Sequence, residues 1–283
     1  MTVERAWLRG ALLAAGMVMV LAGCGPDRTG ADQPDPTATQ PSLPVPTAAP
    51  VPEGEVSGTG LVLGGRRQAE LCLGGVAKSL PPKCEGIPLD GWDWTAVSGE
   101  ERQGRTRWGT YTVTGEYDGS RFRVTAVTDS PVEPTTPPED PESYQTTCRT
   151  PSSGWTIDPE RAGPAAIEAV YAEAARLPGY TFAWQDEVDG VPVINVAVAG
   201  DPAAAETRLR EVYGGPLCVT RSRFDQAEVR EISEQLPDLP GLLFRSTEVD
   251  RVLAVVTYDD GSLQDWADAR FGPEVVVVSS ALD

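Results

Sequence analysis

Reactive chemistry depends first on which side chains are present. The chain has five cysteines and 42 carboxylates but no histidine. Without an imidazole, Ser-His-Asp and Cys-His nucleophile systems are excluded, as are zinc sites built on histidine. No Ser-x-x-Lys pair ends at Lys78 or Lys83, because Gly75 and Leu80 stand three residues before them. Cys72, Cys84, Cys148 and Cys218 show no Cys-x-x-Cys spacing and read as disulfides, so no metal and no cofactor is expected. The pairing Cys72–Cys84 and Cys148–Cys218 keeps each bond within one segment of the chain. Asp186, Glu187 and Asp189 precede Gly190, and Asp259 and Asp260 precede Gly261. A calcium loop with Gly190 sixth would need an acid where Val196 stands, and one with Gly261 sixth would begin at Val256. These acids therefore read as turn and cap residues. "GGRRQ" at 64–68 lacks the Gly-Lys-Ser/Thr of a phosphate cradle and reads as a turn. Trp92, Trp94, Trp108 and Tyr111 are close in sequence, with Trp92 and Trp94 on one face of an expected strand. They read as core packing, with an aromatic surface for a sugar ring or a peptide as the functional alternative.

The first 24 residues set the address. Arg5 and Arg9 precede an apolar stretch from Gly10 to Gly23, only 14 residues long. A spanning helix needs about 20. A basic head, a short apolar core and small residues at the end describe a secretory signal peptide over 1–23. Leu21-Ala22-Gly23-Cys24 resembles the lipobox of bacterial lipoproteins. The resemblance implies that Cys24 is acylated and becomes the mature N-terminus. Two or more acyl chains anchor stably, so the implied location is the extracytoplasmic face of the cell membrane, and the membrane is the first partner. Export also suits disulfides.

Composition narrows the partners. The net charge is −19, which argues against nucleic acid and against a polybasic membrane-surface mode. Only two of the 23 basic residues are lysines, and Ala, Gly, Pro and Val abound, as in high-GC Gram-positive bacteria.

The positioning elements follow from pattern. Residues 24–53 hold eight prolines and too little apolar surface to fold, and read as a lipidated cysteine followed by a disordered tether. A second Pro-rich stretch, 129–147, reads as a linker between domains. The first domain, 54–128, reads as strands at "VSGTGLVLGG", "AELCLG" and "GWDWTAV", followed by a hairpin turning at Asp118-Gly119. Tyr111 and Val113 alternate with Thr112 and Thr114, as in a strand with one wet face. Short antiparallel strands of this number suggest a small β-barrel, and the hairpin resembles the strand pairs of OB-like barrels.

The second domain, 148–283, repeats itself. "LPGYTFAWQDEVDGVPV" is echoed by "LPGLLFRSTEVDRVLAV", and "REVYGGPLCV" by "DARFGPEVVV". The copies, about 158–221 and 225–280, each read helix, strand, strand, helix, strand. Ile167, Val170, Tyr171, Ala174 and Leu177 share one helical face. Asp158-Pro159 and Asp201-Pro202 read as helix starts, and Asp225 with Glu228 as a capping box. "EVVVVSS" at 274–280 reads as a strand covered on both faces. Phe182 and Phe244 are expected in matching core layers. The expected fold class is α+β: a small antiparallel OB-like barrel, then a duplicated α-β-β-α-β domain. That domain resembles domains of envelope lipoproteins from high-GC Gram-positive bacteria, a resemblance that implies no activity.

Together these features point to a non-catalytic, lipid-anchored envelope protein that binds a protein, peptide or glycan. The alternative is a cell-wall polysaccharide hydrolase using paired carboxylates, since two suitably spaced acids suffice for that reaction.

Overall fold

The computed structural model describes residues 43–65, 68–129 and 144–283. The signal peptide, Cys24, the first part of the tether and linker residues 130–143 lie outside the described residues. The fold is α+β. Among the described residues, no helix is long and apolar enough to cross a membrane.

The first sheet contains β1 (Glu55–Gly64), β2 (Ala69–Cys72), β3 (Ile87–Asp90), β4 (Glu101–Gln103), β5 (Thr106–Tyr117) and β6 (Phe122–Asp129). Its order is β1-β2-β3-β6-β5-β4, and β1 also pairs with β5, so five strands form a ring. Neighbours are antiparallel except β3 and β6, which run parallel. The hairpin expected at Asp118-Gly119 is present: Asp118 Oδ1 accepts from the N–H groups of Ser120 and Arg121, and Gly119 has φ 94°. At the β5–β6 bulge, a Cβ on Gly115 would lie 2.0 Å from the Arg123 carbonyl oxygen, so only glycine fits.

One expected strand is corrected. Residues 91–97 form a turn, not a strand, because the Asp93 carboxylate takes the Thr95 N–H at 2.8 Å and bends the chain. The third strand is instead the four-residue "IPLD" immediately before it.

Leu282, near the other end of the chain, fills this sheet's core beside Val56, Leu71, Tyr111 and Phe122. Ser57 and Asp283 exchange backbone hydrogen bonds of 2.7 and 3.0 Å. A Cβ on Gly58 would lie 2.6 Å from Leu282, so the glycine opens the space the leucine occupies. Tyr258 packs on the same core, and the Tyr117 hydroxyl hydrogen-bonds the Thr257 side chain.

The remaining chain forms two three-stranded sheets. The first has α1 (Pro164–Ala174), β7 (Tyr180–Val188), β8 (Val191–Val198), α2 (Pro202–Leu209) and β9 (Leu217–Arg221). The second has α3 (Gln226–Gln235), β10 (Leu242–Thr247), β11 (Val252–Val256), α4 (Ser262–Phe271) and β12 (Val276–Ser280). Each orders its strands as in sequence, with one antiparallel pair followed by one parallel pair. The Leu-Pro-Gly segments correspond: Gly179 and Gly241 have φ of 70° and 72°. Their carbonyls accept from Ala199 and Thr257 at 2.7 and 2.8 Å. The first strands bulge at the same place, between Tyr180 and Phe182 and between Leu242 and Phe244.

Local chemistry sets the helix starts. The Asp225–Glu228 capping box forms, and Asp201 caps α2. Asp158 caps a 3-10 turn at Pro159–Arg161 rather than an α-helix, because α1 starts afresh at Pro164 behind Gly163. The α1 face reads as expected, with Ile167, Val170, Tyr171, Ala174 and Leu177 in one cluster.

Two packing expectations are corrected. β12 is an edge strand and only Val276 is fully buried in it; β11, the central strand, is buried at all five positions. Phe182 and Phe244 are half-buried and stand outside the buried clusters. Phe182 instead packs with Tyr144 and Trp184.

Both disulfides pair as expected, Cys72–Cys84 and Cys148–Cys218, with Cα separations of 6.1 and 5.7 Å. Both Pro-rich stretches end in contact with the body. Trp266 Nε1 donates to the Pro44 carbonyl at 2.9 Å, and Trp184 Nε1 to the Tyr144 carbonyl at 2.6 Å.

Candidate functional site

The aromatic set singled out by sequence belongs to the interior. Trp92, Trp94 and Tyr111 meet edge to face, with centroids 5.2–6.4 Å apart. Trp94 and Tyr111 are buried, and their polar atoms reach the carbonyls of Gly65 and Ser98, each at 3.0 Å. Trp108 is separate, packed with Leu61 against Cys72. Trp92 is half-buried. These rings pack in the cores, and Trp92 and Trp94 also line a small pocket with Gln68 and Asp90.

The expected turn acids do turn and cap work. The Asp259 carboxylate accepts from the N–H groups of Leu263 and Gln264 at the start of α4, and Asp260 from that of Ser262. Asp186 accepts from the Thr146 N–H at 2.7 Å, and Asp189 has φ 52° in the β7–β8 turn. Gly65 and Gln68 close the turn between β1 and β2. Among the described residues, no group of three or more Cys, Asp or Glu side chains could hold a metal ion.

A groove lies elsewhere, beside the β7–β9 sheet. It encloses 520 Å³ and is lined on one side by Trp155 and Asp158, on the other by Glu206, Arg210 and Tyr213. Its builders are local. Cys148 is bonded to Cys218 on β9, which ties the loop 149–157 to that strand. The loop then enters the Asp158-capped turn. That turn is joined to the chain after α2 by two backbone bonds, Asp158 N–H to Gly214 O at 2.9 Å and Gly214 N–H to Arg161 O at 2.7 Å. A Cβ on Gly214 would lie 2.7 Å from Asp158 Cβ, so glycine permits the approach.

Ion pairs fix the polar wall. Arg161 donates to Asp158 at 2.9 Å and to the Arg210 carbonyl at 2.8 Å. Arg210 donates to Glu206 at 3.2 and 3.3 Å and to the Gly215 carbonyl at 2.6 Å. The hydrogen bond from Arg161 holds the Asp158 carboxyl below the usual aspartate range. Burial pushes the Tyr213 phenol up. The indole nitrogens of Trp155 and Trp92 are buried with no hydrogen-bond partner among the described residues. The site therefore offers the half-buried Trp155 beside a row of solvent-exposed guanidinium–carboxylate pairs, with Tyr213 buried behind it.

A second, more polar pocket of 320 Å³ lies where the two halves meet, among Trp184, Thr220, Arg221 and Asp250–Arg251. Glu248, only 5% exposed, is held there by Arg251 at 2.7 Å.

Sequence reasoning missed the groove because its walls come from residues 148–161 and 206–217. The signal that could have found it is the Cys148–Cys218 pairing, which brings those stretches together. Neither a protein-family model nor a curated protein sequence matches the chain.

Proposed function

We propose that the chain is a lipid-anchored binding protein of the bacterial envelope, held on the extracytoplasmic face through Cys24, and that it takes its ligand in the Trp155–Tyr213 groove. The observation that carries the binding reading is the groove itself: Trp155 beside a row of ion-paired arginines and carboxylates. Binding sites of this kind are concave, with a few well-placed polar groups. The lipobox-like Leu21-Ala22-Gly23-Cys24 and two disulfides support the location. The tether is shorter than its composition suggests. Attachment at Pro44 rather than at β1 removes about 30 Å of reach, at about 3.1 Å per extended residue.

The scaffold fits two further readings. The ring β1-β2-β3-β6-β5, with its one parallel pair, supports an OB-type closed barrel. The matched pairing, bulges and Leu-Pro-Gly turns support an internal duplication. Hydrolysis by a carboxylate pair is not favoured. Asp158 and Glu206 both line the groove, but each is occupied by a guanidinium, whereas a general acid needs a raised pKa.

Photo-crosslinking from a probe at Thr156 of the anchored full-length protein tests the binding reading. An envelope component captured there, and lost in Trp155→Ala, supports it. Capture that is indifferent to Trp155→Ala refutes it. In parallel, Cys24→Ala should leave the membrane fraction; retention with normal processing would refute the anchor.

A further inference from the structure

We propose that the Trp266–Phe271 face of α4 is a recognition site for uncharged proline-rich segments, independent of the groove above, and that the chain's own Leu43–Pro46 occupies it as a displaceable latch. The segment Leu43–Pro52 reads "LPVPTAAPVP" and carries no charge. Eight of its ten residues are prolines or stand directly before one. Proline fixes φ and keeps its predecessor extended, so the segment is preset for a polyproline II conformation. Burial follows the same geometry. Pro46, Ala49 and Pro52 are half-buried while Val45, Ala48 and Val51 are exposed, the three-residue period of that helix, with one bend at Ala48.

The chemistry of Trp266 selects such an occupant. A polyproline II segment makes no internal hydrogen bonds, and its prolines have no N–H, so it presents carbonyl acceptors and few donors. An indole Nε1–H donates and accepts nothing. Trp266 Nε1 meets the Pro44 carbonyl at 2.9 Å. Phe271 stands edge to face beside Trp266, with centroids 6.1 Å apart and both rings half-buried. An aromatic surface is what holds proline-rich segments elsewhere. The far end of the segment lies against the β5–β6 hairpin, where a Cβ on Gly119 would meet Val51 Cγ2 at 3.2 Å.

The latch is weakly held. Among the described residues, the bond to Trp266 is the one hydrogen bond that Leu43–Pro52 makes. Leu43, Val45 and Val51 are 41–48% exposed. One neutral hydrogen bond favours the docked form by only about two- to tenfold, so a released form is populated. Gly54, at φ 127° with open space around it, supplies a hinge. Release uncovers Trp266 and frees the segment together.

The test uses the full chain in detergent micelles with isotope-labelled tryptophan indoles, the Trp266 resonance being identified by its loss in Trp266→Phe. A peptide copying residues 42–52 is titrated into the parent and into the double variant Pro44→Gly, Pro46→Gly, beside a peptide with alanine in place of every proline. The double variant should shift the Trp266 resonance with an unchanged melting temperature. The proline peptide should restore the resonance there, and should bind the parent about two- to tenfold more weakly because it must displace the latch. A resonance unmoved by the double variant would overturn the docked latch. Failure of the proline peptide to restore it, or equal restoration by the alanine peptide, would overturn the recognition site. Equal affinity for parent and double variant would overturn its occupation by Leu43–Pro46.

Discussion

The β7–β9 and β10–β12 sheets share a pairing scheme but are secured differently. In the first half, a disulfide clamps the loop before α1 to β9, and the groove opens between that loop and the end of α2. In the second half there is no such clamp. There α4 carries Trp266 at its middle and Phe271 at its end, which pack edge to face, and Trp266 holds the Pro44 carbonyl. The segment after β12 runs on into the core of the first sheet. Tyr213 and Phe271 stand at corresponding places in the similar stretches 210–219 and 268–277, each before a glycine. Tyr213 is buried beside the groove, and Phe271 packs on the Trp266 that holds the Pro44 carbonyl. The comparison teaches that segments attached at the edges of one pairing scheme can give its copies different surroundings.

The comparison can be broken most forcefully at its clamp. Replacing Cys148 and Cys218 together by serine should cost about 4 kcal/mol for a loop of 70 residues. Hydrogen exchange should then show β7–β9 opening before β10–β12. Equal loss of protection in both sheets would mean that the halves are one cooperative unit. Next is the tail that secures the second half. Leu282 is fully buried, so Leu282→Ala should cost about 3 kcal/mol in denaturant unfolding. The loss should register at Trp92 and Trp94 in the first sheet. An unchanged midpoint would show that the tail is dispensable.

Smaller changes sharpen the contrast. Trp266→Phe keeps the ring but removes the bond to Pro44, and should cost about 1 kcal/mol or less. Its clearer readout is faster proteolysis at 43–52 with the groove unaffected. The smallest effect expected is on pH. The folded Asp158 carboxyl sits below its ordinary value because of Arg161. Its contribution to stability is therefore present above the ordinary aspartate range and lost as pH falls through the lowered pKa. Asp158→Asn should flatten that acid limb for the first half alone. An acid limb identical to the parent's would show that the pair adds nothing.

Much of the scaffold was legible because its signals are short-range. Asp118-Gly119, Asp225 with Glu228 and the Leu-Pro-Gly turns each act within a few residues, and all appear where expected. Residues 91–97 misled because Trp-Asp-Trp alternates like a strand, while the deciding interaction, Asp93 with the Thr95 N–H, is a side-chain bond that alternation does not reveal. The strand "IPLD" is too short to show a period. Phe182 and Phe244 resemble core residues by type, but a bulge in each strand shifts the alternation just before them. The candidate groove was not legible because Trp155 carries no periodic signal. It acquires meaning only when the disulfide sets it against residues some fifty positions later.

Leu282 and Asp283 complete a sheet whose first strand begins at Glu55. Contacts between such distant residues are slow to form, because the intervening loop must close before they contribute. A chain delivered from its N-terminus would assemble the ring's strands while the place of Leu282 was still vacant, leaving Val56, Leu71 and Phe122 partly open to water. Maturation of the ring thus depends on the arrival of Leu282. Truncated products would carry an apolar opening that other chains, or quality-control proteases, could recognise.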